Sequence, residues 1–205
     1  MKKFDLNIEK ILENWETHHA IRELIANALD EQLLTRTNEV EILNNGQSWV
    51  IRDFGRGLKY SHLTQNENQE KLSNTNVIGK FGIGLKDAFA TFDRKGVKVT
   101  AKSKHSLISI CKSEKEGFKD ILTLHAIIED PIEPYFIGTE FELNGVTDDD
   151  IEKAKELFLK FSNEKVIELT KQGQVVEKKG TCGNIYINGV KVAEEENFLF
   201  SYNLT

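Results

Sequence analysis

The sequence predicts an α+β domain, with helices packed on one face of a mixed, mostly antiparallel sheet. Three observations predict it. Apolar residues recur at helical spacing near the N-terminus and again after residue 84. Strand-like runs pair around Asn45-Gly46 and Asn188-Gly189, the dipeptide favoured in two-residue hairpin turns. With two prolines in 205 residues and no low-complexity tract, nothing marks an internal linker, so residues 1–205 read as a single domain.

Taken in order, Phe4–Trp15 carries Ile8, Ile11, Leu12 and Trp15 at helical spacing and predicts a first helix. Thr17 is the expected cap of a second, from about His18 to Leu34, whose apolar side is Ile21, Leu24, Ile25, Ala28 and Leu29. Glu39–Leu43 and Trp49–Arg52 form the first hairpin. Lys59–Asn76 has no periodicity and is rich in Asn, Gln, Ser, Thr and Glu. A loop of that length inside a compact domain is a lid or a solvated insertion, and its place between two glycine boxes favours the lid. Its apolar anchors are few (Tyr60, Leu63 and Leu72), so it is expected to be mobile without a ligand.

A helix over Gly84–Phe92 is followed by strands at Val97–Lys102, Leu107–Lys112, Ile121–Ile128 and Thr139–Leu143. Thr147 and the acidic run Asp148–Asp150 favour a helix start, with the helix expected to reach about Thr170. Ile185–Ile187 and Val190–Ala193 make the second hairpin. Phe198–Thr205 reads as a strand in progress, and the chain is expected to be the N-terminal part of a larger protein.

Composition narrows the function classes. With 27 basic against 33 acidic residues, the net charge of −6 supplies no global field for nucleic acid. Cys111 and Cys182 are too few for a disulfide framework and are not spaced as metal ligands; they are expected to be buried thiols. The first residues carry the charges of a signal peptide without its apolar stretch, and no segment is apolar and long enough to span a bilayer. The expectation is a cytoplasmic protein with no membrane partner.

Three boxes carry the chemistry. In Glu23-Leu-Ile-Ala-Asn27-Ala-Leu-Asp30, the spacings i, i+4 and i+7 put two carboxylates and an amide within roughly 60° on a helix. A carboxylate can take a proton from an attacking water, and an amide oxygen is a hard ligand suited to Mg²⁺. Alone, such a stripe reads as a solvated helix face; with the other boxes it reads as a site. In Asp53-Phe-Gly55-Arg-Gly57-Leu58, a carboxylate ends an apolar strand inside a tight turn, where it can accept the exocyclic amino proton of adenine. In Gly79-Lys80-Phe81-Gly82-Ile83-Gly84-Leu85-Lys86, a glycine loop leads into a helix whose N-terminus can bind phosphate. It fits neither the Walker A pattern nor Gly-x-Gly-x-x-Gly. Lys86 or Lys80 can add a point charge at the terminal phosphates. Gly138-Thr139 offers a hydroxyl to complete the adenine contacts.

These elements, in this order, resemble the GHKL ATPase superfamily of gyrase B subunits, heat-shock chaperone ATPases, histidine kinases, MutL proteins and MORC relatives. The resemblance covers roughly Ile8 to Leu143. It implies a Bergerat fold, an α/β sandwich holding ATP and Mg²⁺ under a lid. It makes Glu23 the catalytic base, Asn27 the Mg²⁺ ligand and Asp53 the adenine-reading carboxylate. Asn27, Asp30, Asp53, Gly55, Gly57, Leu58, Gly79, Lys80, Phe81, Gly82, Ile83, Gly84, Leu85, Lys86 and Thr139 become the nucleotide-contacting set. Glu31 departs from the pattern, standing where many members have alanine, and the domain that donates a lysine in gyrase and MutL proteins is not in this chain.

The function implied is an ATP-binding, Mg²⁺-dependent ATPase with a nucleotide-gated lid, slow as an isolated domain. It would couple ATP binding and hydrolysis to conformational change or homodimerisation, chaperone-like, with a client protein or DNA reached through regions beyond the chain. The alternatives are a non-hydrolysing ATP-dependent dimerisation switch and a histidine-kinase-like phosphotransferase.

Overall fold

The computed structural model describes residues 1–7, 14–64, 71, 73–79 and 84–205. Seven strands form one antiparallel sheet in the order β1-β6-β5-β4-β7-β3-β2. They are β1 (Lys2–Asp5), β2 (Glu41–Asn44), β3 (Trp49–Arg52), β4 (Lys98–Ser103), β5 (Leu107–Lys115), β6 (Phe118–Glu129) and β7 (Thr139–Asn144). Alternation decides which face is buried: Val99 and Ala101, Leu124, Ala126 and Ile128, and Phe141 and Leu143 all turn inward. Against that face lie α1 (Thr17–Thr35) and α3 (Gly84–Lys95), and they fill the core with Ile21, Leu24, Ile25, Ala88, Phe89 and Phe92. A short helix, α2 (Ser61–Thr64), buries Leu63 in the same core.

The chain continues through α4 (Asp148–Lys155) and a 3-10 turn (Leu159–Phe161) into a second, five-stranded sheet in the order β11-β10-β12-β9-β8. Its strands are β8 (Val166–Thr170), β9 (Gly173–Val176), β10 (Gly183–Ile187), β11 (Val190–Glu195) and β12 (Ser201–Leu204). The β10–β12 pair is parallel, which makes the pairing of the whole chain mixed. None of the described helices is long and apolar enough to cross a membrane.

Both hairpins form at their Asn-Gly turns. Asn45 Oδ1 accepts from the Gln47 and Ser48 N–H groups, and Gly46 takes φ +88°. Asn188 and Gly189 both have positive φ (49° and 79°), the geometry that suits a tight hairpin. Thr147 caps α4 as expected, with its hydroxyl accepting from the Asp150 N–H.

Four expectations are corrected. Phe4 lies in strand β1, paired with Ala126 on β6, and not in a helix; Ile8, Ile11 and Leu12 of the expected first helix lie outside the described residues. Edge pairing to a long strand decides this where local periodicity suggested otherwise. The cap of α1 is Glu16, one residue before Thr17, with its N–H bonded to His19 Nδ1. The helix from Asp148 ends at Lys155 and does not reach Thr170, because Phe158 turns extended and bridges to Val190, and Val166–Thr170 pairs with β9. Cys111 and Cys182 are free and partly exposed, not buried.

Phe89 is 1% exposed at the centre of the helix–sheet layer. Phe89→Ala should therefore cost about 3–5 kcal/mol, read as a lower urea midpoint at unchanged m-value.

Candidate functional site

The site is built on one edge of α1. Its apolar positions commit Ile21, Leu24, Ile25 and Ala28 to the core, and the register then puts Glu23, Asn27 and Asp30 along one edge of the helix. Asn27 Nδ2 donates to the Glu23 carbonyl at 2.9 Å, which leaves its oxygen as an acceptor. That oxygen accepts from Lys71 Nζ at 3.2 Å, and the same ammonium lies 2.8 Å from Asp30 Oδ2. Asp30 is 1% exposed. Its Oδ1 accepts from the Ile78 N–H at 2.7 Å and its Oδ2 from the Gly79 N–H at 2.9 Å. A buried carboxylate needs such partners. Asp30 thus anchors the segment that enters the glycine loop.

Glu23 Oε1 pairs with the Arg22 guanidinium. Its other oxygen lies against Gly84 at the start of α3, where any side chain would collide with the carboxylate. The catalytic-base candidate therefore faces the helix N-terminus expected to receive phosphate. Leu85 is buried in the core, and Lys86 and Asp87 occupy the first turn of α3. Burial raises the Asp87 carboxyl above its ordinary range, and the neighbouring Glu23 charge adds to the rise. Lys80, Phe81, Gly82 and Ile83 lie outside the described residues.

The second half of the site is at the end of β3. Asp53 is 3% exposed, with Oδ1 accepting from the Gly55 N–H at 2.8 Å and the Thr139 N–H at 3.3 Å. Thr139 Oγ1 accepts from the Leu58 N–H at 3.0 Å, and the Leu58 carbonyl accepts from Ser103 Oγ at 2.7 Å. Asp53, Gly55, Leu58 and Thr139 thereby share one network. Gly57 has φ +86°. Gly138 has φ +83°, and a Cβ there would run into the Asp53 carbonyl, so this position accepts only glycine. Burial pushes the Asp53 carboxyl up to about 6, opposed by the Gly55 N–H and reinforced by the Glu31 charge.

Glu31 braces the turn. Its Oε1 accepts from the Arg56 N–H at 2.7 Å and from Arg56 Nε at 2.9 Å, and its Oε2 accepts from the other end of the guanidinium at 2.9 Å. Burial alone would raise this carboxyl, but the Arg56 hydrogen bonds and charge bring it below the usual range. Its stem packs where a Gly55 side chain would sit.

Lys71, Arg56 and Ser103 were not among the residues the sequence singled out. Lys71 sits in a polar stretch without periodicity, and Ser103 ends a strand among many. Arg56 alone had a signal, its position between the two turn glycines.

With this geometry in hand, the comparisons decide the family. Residues 15–139 match the family model for histidine kinase-, DNA gyrase B- and HSP90-like ATPases. The chain belongs to this family. The match includes α1, the Asp53 turn and α3 and ends at Thr139, so every described candidate residue of this ATPase family falls within it. Residues 149–205, from α4 through the second sheet, match the Mycoplasma pneumoniae MPN635 N-terminal domain. A Mycoplasma pneumoniae protein described as uncharacterized is 40% identical over 209 residues, covering 100% of this chain and 84% of the relative.

The Asp53 carboxyl carries a sign that can be tested. Its folded value of about 6 exceeds the ordinary 3.8, so between those values the folded state holds a proton that the unfolded chain has released. Its contribution to stability therefore falls as pH rises from about 4 to about 6, by on the order of 2–3 kcal/mol. Asp53→Asn removes that dependence. Urea unfolding should show the variant gaining on the parent protein at pH 7 relative to pH 4.5.

Proposed function

We propose that this chain binds ATP with Mg²⁺ and hydrolyses it, as a module whose lid, expected over Lys59–Asn76, closes over nucleotide and whose ATP state drives conformational change or homodimerisation. The observation that carries the reading is the Lys71 ammonium on Asn27 Oδ1 and Asp30 Oδ2. A cation already satisfies the oxygen that the resemblance assigns to Mg²⁺, so the donor set suits a hard divalent ion. Asn27 would hold Mg²⁺, which would supply charge neutralisation at the phosphates. Asp53 accepts the adenine amino proton, with Thr139 and Leu58 holding its turn. The phosphates would be received by the backbone N–H groups at the N-terminus of α3. Glu23 takes the proton of the attacking water. ATP and ADP are the expected ligands, and a client protein or DNA would be engaged elsewhere in the full protein.

A second reading has its own support. Arg22 occupies one oxygen of Glu23, which leaves that carboxylate less available as a base. ATP would then act as a non-hydrolysed dimerisation switch. Glu23→Ala separates the two. On the hydrolytic reading it leaves ATP affinity by calorimetry largely intact and slows phosphate release roughly 10²–10⁴-fold. Binding without turnover in the parent protein supports the switch, and turnover unchanged by the substitution places the base elsewhere.

A further inference from the structure

Among the described residues, the side chain of Asn188 joins the second sheet to the candidate site. Asn188, at the tip of the β10–β11 hairpin, donates from Nδ2 to the Thr75 carbonyl at 2.8 Å and the Val77 carbonyl at 3.0 Å. Val77 is fully buried, and the next two N–H groups, those of Ile78 and Gly79, hold Asp30. The segment is thus gripped from both sides, by α1 through Asp30 and by the second sheet through Asn188.

The hairpin tip is itself firmly held. The Asn188 N–H donates to the Leu204 carbonyl and the Gly189 N–H to Asn203 Oδ1, both on β12. The Leu159 N–H donates to the Gly189 carbonyl and the Lys191 N–H to the Leu157 carbonyl. Asn188 Oδ1 is buried and has no hydrogen-bond partner among the described residues. Flipping the amide would turn that oxygen on two carbonyls, so its orientation is set. A buried acceptor left unpaired disfavours the folded state, and it is tolerated here together with a two-carbonyl grip on the strap.

We propose that Asn188 is a positioning residue for the nucleotide site. Its amide fixes residues 75–79 so that the Ile78 and Gly79 N–H groups meet Asp30, and it links the position of that strap to the β10–β12 sheet. Its effect on nucleotide rests on the reading above; its effect on the strap does not. Residues 149–205, matched separately from the ATPase region, then take part in the site without contacting the ligand.

Asn188→Gly tests this cleanly, because glycine accepts φ +49° and only the amide is lost. In the nucleotide-free protein, hydrogen exchange at the Ile78 and Gly79 amides should speed up at least about tenfold, with the Tyr186 and Ile187 amides unchanged. The affinity for Mg²⁺ and a non-hydrolysable ATP analogue should fall by about tenfold. Asn188→Asp, which keeps the turn but sets a carboxylate against two carbonyls, should reproduce both effects. Unchanged exchange at Ile78 and Gly79 in both variants overturns the proposal. So does equal acceleration throughout β10–β12, which would mean that Asn188 only holds its own sheet. If the parent protein binds no nucleotide while the strap amides still respond, the ATP reading fails and the positioning role stands.

Discussion

Asp30 is a carboxylate with almost no solvent, on a helix whose other side is the core. Leaving it uncompensated would be strongly destabilising, and the chain meets that demand with two backbone N–H groups and one ammonium. Because those donors come from residues 71, 78 and 79, satisfying one buried charge holds Lys71, Ile78 and Gly79 against α1. The same Lys71 ammonium accounts for the partner of the Asn27 oxygen.

The two halves of the site obey different electrostatics. Around Asp30 and Asn27 the structure gathers one ammonium and two backbone N–H donors. Around Asp53 it gathers burial and a nearby Glu31 charge, which raise the carboxyl to about 6 against the hydrogen bonds from Gly55 and Thr139. The Glu31–Arg56 pair keeps the turn in place through three hydrogen bonds.

Much of the site was legible from local chemistry. The spacing of Glu23, Asn27 and Asp30 required only that the segment be helical, and the apolar side of α1 made that plain. The Asp53-x-Gly55-x-Gly57 turn and Gly138-Thr139 were legible because glycine at a tight approach is a local signal. Lys71 was not, because a lysine in a polar stretch has no periodicity and its place depends on Asp30, 41 residues away.

The sequence by itself determined the fold class, the hairpin turns and the identity of the described catalytic and adenine candidates, since each follows from short-range periodicity or turn chemistry. Tertiary structure decided the rest. It made Phe4 a strand, because an exposed β6 edge offered pairing that outweighed helical spacing. It ended α4 at Lys155, because Phe158 and Val166–Thr170 found partners in a second sheet. It also brought Asn188 against Thr75 and Val77, across 113 and 111 residues of chain. Such contacts depend on which surfaces meet after folding, and no local pattern encodes them.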